Sequence, residues 1–558
     1  MTILKKKYKK LFSLLLFCII LYNFPHYFLR DSSNKFIQSD IQSELNQCQK
    51  EWIQLNDDIF FRKSLSYYFL DTNEIRLFLE RYNNKKYYDF KFYVKIILNN
   101  KNTNIYQVTK VNSIHMDTVW SYTTEMKTFK FNLDSFIDNT EKNYRLQVLV
   151  SINNTLMYTN PIDLIIKNFN AKDNTKKHSM ICAKSFYFPN SYINHFEFWI
   201  QMNKINGYDK ISLFNNSLGT KFNDLFIKYK DFIDVHQFQC VPNFYKTDKN
   251  KIKFVTFEHI KNAFNRDPTP IHVHFDYINL NECYLKYKDK YKYITVIDDD
   301  ESIIPRLAYK NELNEFVYQK IDPYPQKIDK ITKKSSKIAN YIEDLTKTLN
   351  DGNKTNLAFK MGFYLKHKTM KIIFNKIGEF LNSFNNSNNV TDFDFTIHID
   401  IKEKCLSIKD LYLNLTIKNK DDFKYIKYLY EMHMKYIEPF LAKNKNILDK
   451  FNDTFNRFYY FTGKTSISSI WLVKSIHNTL QTTELSTHYA KNKVDNKYVP
   501  VEYGHSCHFK TKYCAHYSTA SLFLKRILPV KELYFDYNYF HFYFKPILNH
   551  VLISVLKE

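Results

Sequence analysis

From Asp57 to Lys167 short apolar runs alternate with polar stretches. Ser66–Leu70 (SYYFL), Ile75–Leu79 (IRLFL), Phe90–Leu98 (FKFYVKIIL) and Tyr144–Ile152 (YRLQVLVSI) are rich in β-branched and aromatic residues. Asn-, Asp- and Lys-rich segments separate them, which predicts strands joined by turns. An antiparallel sandwich is the simplest way to bury such strands. The polar stretch Asn168–Lys177 marks a boundary. At His178 the pattern changes. Met180–Phe188 (MICAKSFYF) reads as a strand and Asn194–Asn206 as a helix, with Phe198, Met202 and Ile205 on one stripe. Phe196, Trp199 and Ile200 widen that stripe, and Gly207 sits where a left-handed C-terminal cap is wanted. Lys210–Phe214 and Phe232–Cys240 follow as strands, Asn281–Tyr291 as a helix and Tyr293–Ile297 (YITVI) as a buried strand. Strand and helix in alternation argue for a parallel α/β unit. Beyond Arg306 the character is mixed, with a helical stretch Lys330–Asn350 and an Asn-rich loop Asn382–Asn389.

The N-terminus adds a cellular address. Five lysines lie within Met1–Lys10, and the apolar run Leu11–Leu29 follows. That run nearly meets the length of a membrane-spanning helix, and the preceding charge holds the N-terminus in the cytosol. The expectation is a type II signal anchor with the remainder lumenal. A cleaved signal peptide is the rival, but no small-residue cleavage pattern appears near Phe28–Ser32. The predicted organisation is a cytosolic tail (1–10), anchor (11–29), stem (30–56), β-rich accessory domain (57–170) and α/β domain (178–550). Sequons at Asn153, Asn215, Asn353, Asn385, Asn389, Asn414 and Asn452 agree with lumenal exposure. So do the cysteines, of which seven lie outside the apolar run. A Cys507–Cys514 disulfide is favoured over a zinc site in HSCHFKTKYCAH, and the rest of the connectivity is not legible.

Composition narrows the chemistry. The 558 residues contain only 7 glycines, which removes the clustered-glycine phosphate loops of P-loop NTPases, Rossmann dinucleotide enzymes and protein kinases. The net charge is +24, but the lysines are scattered in a chain biased toward Lys, Asn, Ile, Tyr and Phe. A solvated basic surface explains this better than a nucleic-acid groove. His272 and His274 (IHVHF) alternate as on a strand and read as a structural pair.

One segment demands a chemical explanation. Ile294–Arg306 (ITVIDDDESIIPR) runs an apolar strand into Asp298, Asp299, Asp300 and Glu301 and then returns to apolar residues. Adjacent carboxylates repel unless a cation or solvent relieves them. Ligands of α/β sheets bind outside the carboxyl ends of the strands, where this cluster falls. Asp298 and Asp300, two apart, suit Mg²⁺ or Mn²⁺ with phosphate oxygens completing the shell. A solvated acidic turn is the plain alternative.

The sequence resembles glycosyltransferase family 92, a group of Golgi type II enzymes. The resemblance is carried by MICAKSFYFPN (180–190), HFEFWIQMNKINGYDKISLFNN (195–216) and NECYLKYKDKYKYITVIDDDESIIPR (281–306). GKTSISSIWLVKSIHNTLQTTELSTHYA (463–490), VEYGHSCHFK (501–510) and, in the β region, SYYFLDTNEIRLFL (66–79) add to it. It implies a GT-A fold and a metal-dependent, inverting transferase that moves a hexose, galactose from UDP-galactose, onto a glycan acceptor. It also implies that Asp300 ligates Mn²⁺ (or Mg²⁺), that Asp298 contacts the ribose or completes the metal shell, and that a tail histidine joins them, His488 first and His477 as competitor. His508 and Lys510 are expected at the nucleotide, with Lys replacing the family's arginine and so losing its planar fork. The base is unassigned, with Glu301 the candidate adjacent to the metal. The alternatives are a catalytically silent glycan-binding member of the same fold and a cell-surface structural protein.

Overall fold

A computed structural model describes residues 50–56, 58–82, 88–98, 101–119, 122–136, 144–153, 161–167, 176–186, 190–215, 218–237, 241–242, 254–255, 269–299, 301–303, 305, 308–310, 316–318, 337–349, 356–363, 367–385, 395–401, 411–445, 462–463, 473–480, 482, 485, 496–499, 506–508, 527–529 and 533–534. The expected anchor and residues 30–49 of the expected stem lie outside these residues, whereas Trp52–Asn56, expected in the stem, is a strand paired with Ile59–Arg62. Among the described residues no helix is long and apolar enough to cross a membrane.

The N-terminal strands form a seven-stranded and a four-stranded sheet. Strand alternation decides what each face touches. In Glu74–Tyr82, Leu77 and Leu79 face the four-stranded sheet, sharing a core with Phe92, Val94, Ile96 and Val148. Phe78 points the other way, into a second core with Phe60, Tyr67 and Phe69. Phe90–Leu98 and Tyr144–Ile152 are strands as predicted and pair antiparallel along their whole length. Pairing is not antiparallel throughout, because Ile165–Lys167 runs parallel to Tyr67–Phe69.

The second region is built on a mixed sheet. Strand β1 (Lys177–Phe186) leads into helix α1 (Ile193–Ile205), strand β2 (Lys210–Asn215), helix α2 (Phe222–Lys228) and strand β3 (Ile233–Gln237). Gly207 takes φ +86 after α1, as the cap position requires. Helix α3 (Thr269–Tyr287) then returns the chain to strand β4 (Tyr291–Ile297). Strands β3, β2, β1 and β4 lie side by side and parallel. Because β4 joins on the far side of β1 from β2, the strand order reverses there, and the crevice between β1 and β4 is a topological switch point. Beyond it come strand β5 (Glu301–Ile303), helix α4 (Ile338–Thr348), strand β6 (Asn356–Phe363), helix α5 (His367–Asn385), strand β7 (Val473–Asn478), strand β8 (Asn496–Val499) and strand β9 (Ser506–His508). Strand β7 pairs antiparallel with both β4 and β6.

Both faces of this sheet are covered, which explains the unbroken apolar run of β4. Ile181, Leu213, Tyr293 and Ile297 pack with α1 and α4, whereas Met180, Cys182, Ile294 and Val296 pack with α3. Helix α3 also touches the N-terminal seven-stranded sheet, so Ile278, Leu280, Cys283, Tyr284 and Leu285 are buried all round it.

The helix and histidine readings need correction, and Asn382–Asn385, expected in a loop, end helix α5. The helix predicted over Asn281–Tyr291 starts at Thr269 and ends at Tyr287. His272 and His274 therefore lie on a helix, where residues two apart do not share a face. Thr269 followed by Pro270 is a sound helix start, and the alternating IHVHF run masked it. The bond found among the described cysteines is Cys182–Cys283, joining β1 to α3 across 101 positions. Cys514, in the favoured Cys507–Cys514 pairing, lies outside the described residues.

Candidate active site

The acidic segment leaves β4 at the switch point and closes a tight turn. Glu301 N donates to Asp298 O at 3.1 Å. The Glu301 carboxylate reaches back to accept from Asp298 N at 3.0 Å. Side chain and backbone thus close the turn from opposite ends.

The repulsion expected among these carboxylates is relieved by separate partners. Lys184, near the end of β1, places its ammonium 2.9 Å from Asp298 Oδ1. Lys474, on β7, lies 3.1 Å from Asp298 Oδ2 and 2.8 Å from Glu301 Oε2. Lys474 is 0% and Glu301 1% exposed, so this pair is sealed from solvent. Asp276 on α3 stands 3.8 Å from Lys184 and extends the alternation of signs. Burial pulls the Lys184 ammonium down, but the carboxylates of Asp298, Asp276 and Glu301 outweigh it and raise its pKa above the ordinary lysine value. Asp299 is held apart from these groups. Tyr192 Oη donates to its carboxylate at 2.5 Å, and His195 Nε2 lies 3.4 Å away.

One polar stripe of α1 fixes the turn's backbone. His195, Trp199 and Asn203 recur every fourth residue and so share a face. His195 Nε2 lies 3.2 Å from Asp299 O. Trp199 Nε1 donates to Glu301 O at 3.0 Å. Ser302 Oγ donates to Asn203 Oδ1 at 3.2 Å, and Asn206 Nδ2 donates to Ser302 Oγ at 2.9 Å. Trp199, read from sequence as a core residue, is buried against Phe186 and Phe196 and also holds the turn.

The tail reaches the same place by strand pairing. Strand β5 pairs antiparallel with β9, setting Glu301 opposite His508. Strand β9 also pairs with β6, with His508 level with Phe363. The structure therefore brings His508 beside the acidic turn. Asp300, His488 and Lys510 lie outside the described residues.

His477 sits elsewhere on the sheet. It pairs with Ile294 in the middle of β4, three residues along β7 from Lys474. At about 3.3 Å per residue that is roughly 10 Å. Neither ring nitrogen has a hydrogen-bond partner among the described residues. Burial lowers its pKa to about 3. Such a histidine costs nothing above its unfolded pKa of about 6.5 and costs progressively more as pH falls toward the folded value. At pH 5 the expected loss is about 2 kcal/mol relative to pH 7. Urea midpoints of the protein and of His477→Leu at both pH values test this. The substitution should shrink the acid loss by that amount, and an unchanged loss would refute the assignment.

Asp276, Asp298 and Glu301 thus gather at one strand end against the ammoniums of Lys184 and Lys474, with Asp299 held by Tyr192 and His195. Both Asp298 oxygens face ammoniums, which suits an anchoring carboxylate better than a metal ligand. No group of three or more His, Cys, Asp or Glu side chains among the described residues is placed to hold a metal ion. The sequence reading missed Lys184, Lys474, Asp276, Tyr192 and His195. A signal existed for the first two, since MICAKSFYF and WLVKSIH each set one lysine in an otherwise apolar run. A lysine in a buried strand needs a partner.

Residues 177–388 match the model of glycosyltransferase family 92. The resemblance read from the sequence holds over this span, which runs from β1 through α5 and includes the acidic turn. The tail strands β7 and β9, which deliver Lys474 and His508, lie beyond the matched residues, as does the 66–79 block. No curated protein matches the chain.

Proposed function

We propose that this protein is a metal-dependent, inverting hexosyltransferase that moves galactose from UDP-galactose to a glycan acceptor. The reading places it as a type II protein of the Golgi or another secretory membrane, with its catalytic region in the lumen. The observation that carries the proposal is the acidic turn at the switch point of a family 92 segment, which is where a doubly wound sheet receives a nucleotide.

The acidic run supports a cation there. Four consecutive carboxylates at a strand end, Asp298 to Glu301, suit a divalent ion that would sit beside the donor's diphosphate. Asp300 is the assigned ligand, with His488 from the tail. A cation so held would supply Lewis-acid relief of the charge that builds on the departing diphosphate. In this reading Asp298 and Glu301 are positioning groups. Glu301, whose carboxylate is committed to Lys474 and to Asp298 N, is not assigned as the base. His508, beside Glu301, is assigned to the nucleotide, with Lys510 as a point charge near the diphosphate.

The test is a donor screen with the soluble lumenal part, reading UDP release across nucleotide sugars with Mn²⁺ present. UDP-galactose should give the largest release, and chelation should remove it. Asp300→Ala should abolish metal-dependent UDP binding and leave the melting temperature unchanged. UDP binding of equal strength with and without Mn²⁺ would defeat the proposal. Metal-dependent binding with no release from any donor would favour a glycan-binding protein that keeps the fold.

A further inference from the structure

We propose that Asn153 carries an N-linked glycan, which makes the turn after strand Tyr144–Ile152 a modification site. The inference rests on the lumenal placement proposed above.

Three observations single out this asparagine. It lies in the sequon Asn153-Asn154-Thr155, and its side chain is exposed. It has φ +52, a left-handed conformation that asparagine adopts more readily than most residues. Its polar atoms are also divided in a way that suits modification. Asn153 N donates to Asp89 O at 2.9 Å, and Asp89 N donates to Asn153 Oδ1 at 3.0 Å. This reciprocal clasp fixes the amide and occupies its oxygen, while Nδ2 donates to no described group.

Glycosylation alters only that nitrogen. Nδ2 loses one proton and forms a bond to C1 of an oligosaccharide. The C1–oxygen bond to a lipid-linked diphosphate breaks, and the lipid diphosphate departs with the electron pair. The carbonyl oxygen remains an acceptor, so the clasp with Asp89 survives the modification.

Two other sequons sit in less permissive places. Asn215 ends β2 between β1 and β3 and is only partly exposed. Asn414 lies in the middle strand of a three-stranded sheet, paired on one side with His398 and on the other with Ile527. The buried Cys182–Cys283 disulfide independently fits an oxidising lumen.

The experiment uses the full chain expressed in a eukaryotic secretory cell. Glycans are released enzymatically in heavy-oxygen water, so that each formerly glycosylated asparagine becomes a labelled aspartate found by peptide mass mapping. The peptide containing Asn153 should carry the label. Thr155→Ala should remove that label and one glycan's worth of gel shift. It leaves the Asn153–Asp89 clasp intact, so a folding defect does not confuse the result. An unlabelled Asn153 beside another labelled sequon overturns the site. A chain with no labelled asparagine overturns the site and the lumenal placement together.

Discussion

Replacing Cys182 and Cys283 together by alanine is expected to destabilise the α/β region by about 4–5 kcal/mol, the chain-entropy value for a closed loop near 100 residues. The bridge spans 101 positions and ties β1 to α3, both buried at the cysteines. The loop it closes contains α1, β2, α2 and β3, so every early element of the sheet is constrained in the unfolded chain. The denaturant midpoint of the double variant should fall well below that of the parent. The parent, unfolded with a reductant present, should move to the same midpoint. Identical midpoints with and without reductant would show that the bridge does not form. A complementary check is peptide mapping without reduction, in which fragments containing the two cysteines should migrate as one species.

Arg62→Met is expected to cost about 3–5 kcal/mol at neutral pH, the usual penalty for stranding one member of a buried ion pair. Arg62 is almost fully buried between the N-terminal sheet and α3. There it pairs with Glu282 on α3, donates from Nε to Ser64 Oγ at 3.1 Å and lies over the Trp52 ring. Burial already raises the Glu282 pKa, and the Arg62 guanidinium opposes that shift. Without Arg62 the carboxylate must ionise unpaired or stay protonated. A carboxylate with a raised folded-state pKa costs stability once pH rises above its unfolded value. The deficit relative to the parent should therefore be small near pH 4.5 and widen toward pH 7. Adding Glu282→Gln to Arg62→Met should recover most of the loss, because removing both charges is often neutral. A double variant as unstable as the single one, with no dependence on pH, would show that the pair carries no buried charge. Comparison at matched pH also cancels the acid loss due to His477.

Local pattern revealed more of the fold than of the site. The runs Phe90–Leu98 and Tyr144–Ile152 coincide with observed strands, and the helix at 194–206 differs from α1 by one residue at each end. The first turns of helix α3 carry an alternating run that mimics a strand and hides the helix start. Its all-round burial, against the mixed sheet on one side and the N-terminal sheet on the other, has no single apolar stripe to announce it.

The sequence by itself determined the element types, the four carboxylates at a strand end and the glycine shortage that excluded phosphate loops. These are local properties, set by periods of two and of 3.6 residues and by composition. Only the tertiary structure decided how the carboxylates are neutralised. Lys184 lies 114 positions and Lys474 176 positions from Asp298, and no periodicity links residues so far apart. The same holds for the choice of Cys283 as partner of Cys182 and for the pairing of His508 with Glu301. Ion pairing and disulfide formation depend on proximity in space, and at the switch point that proximity arises from strand order.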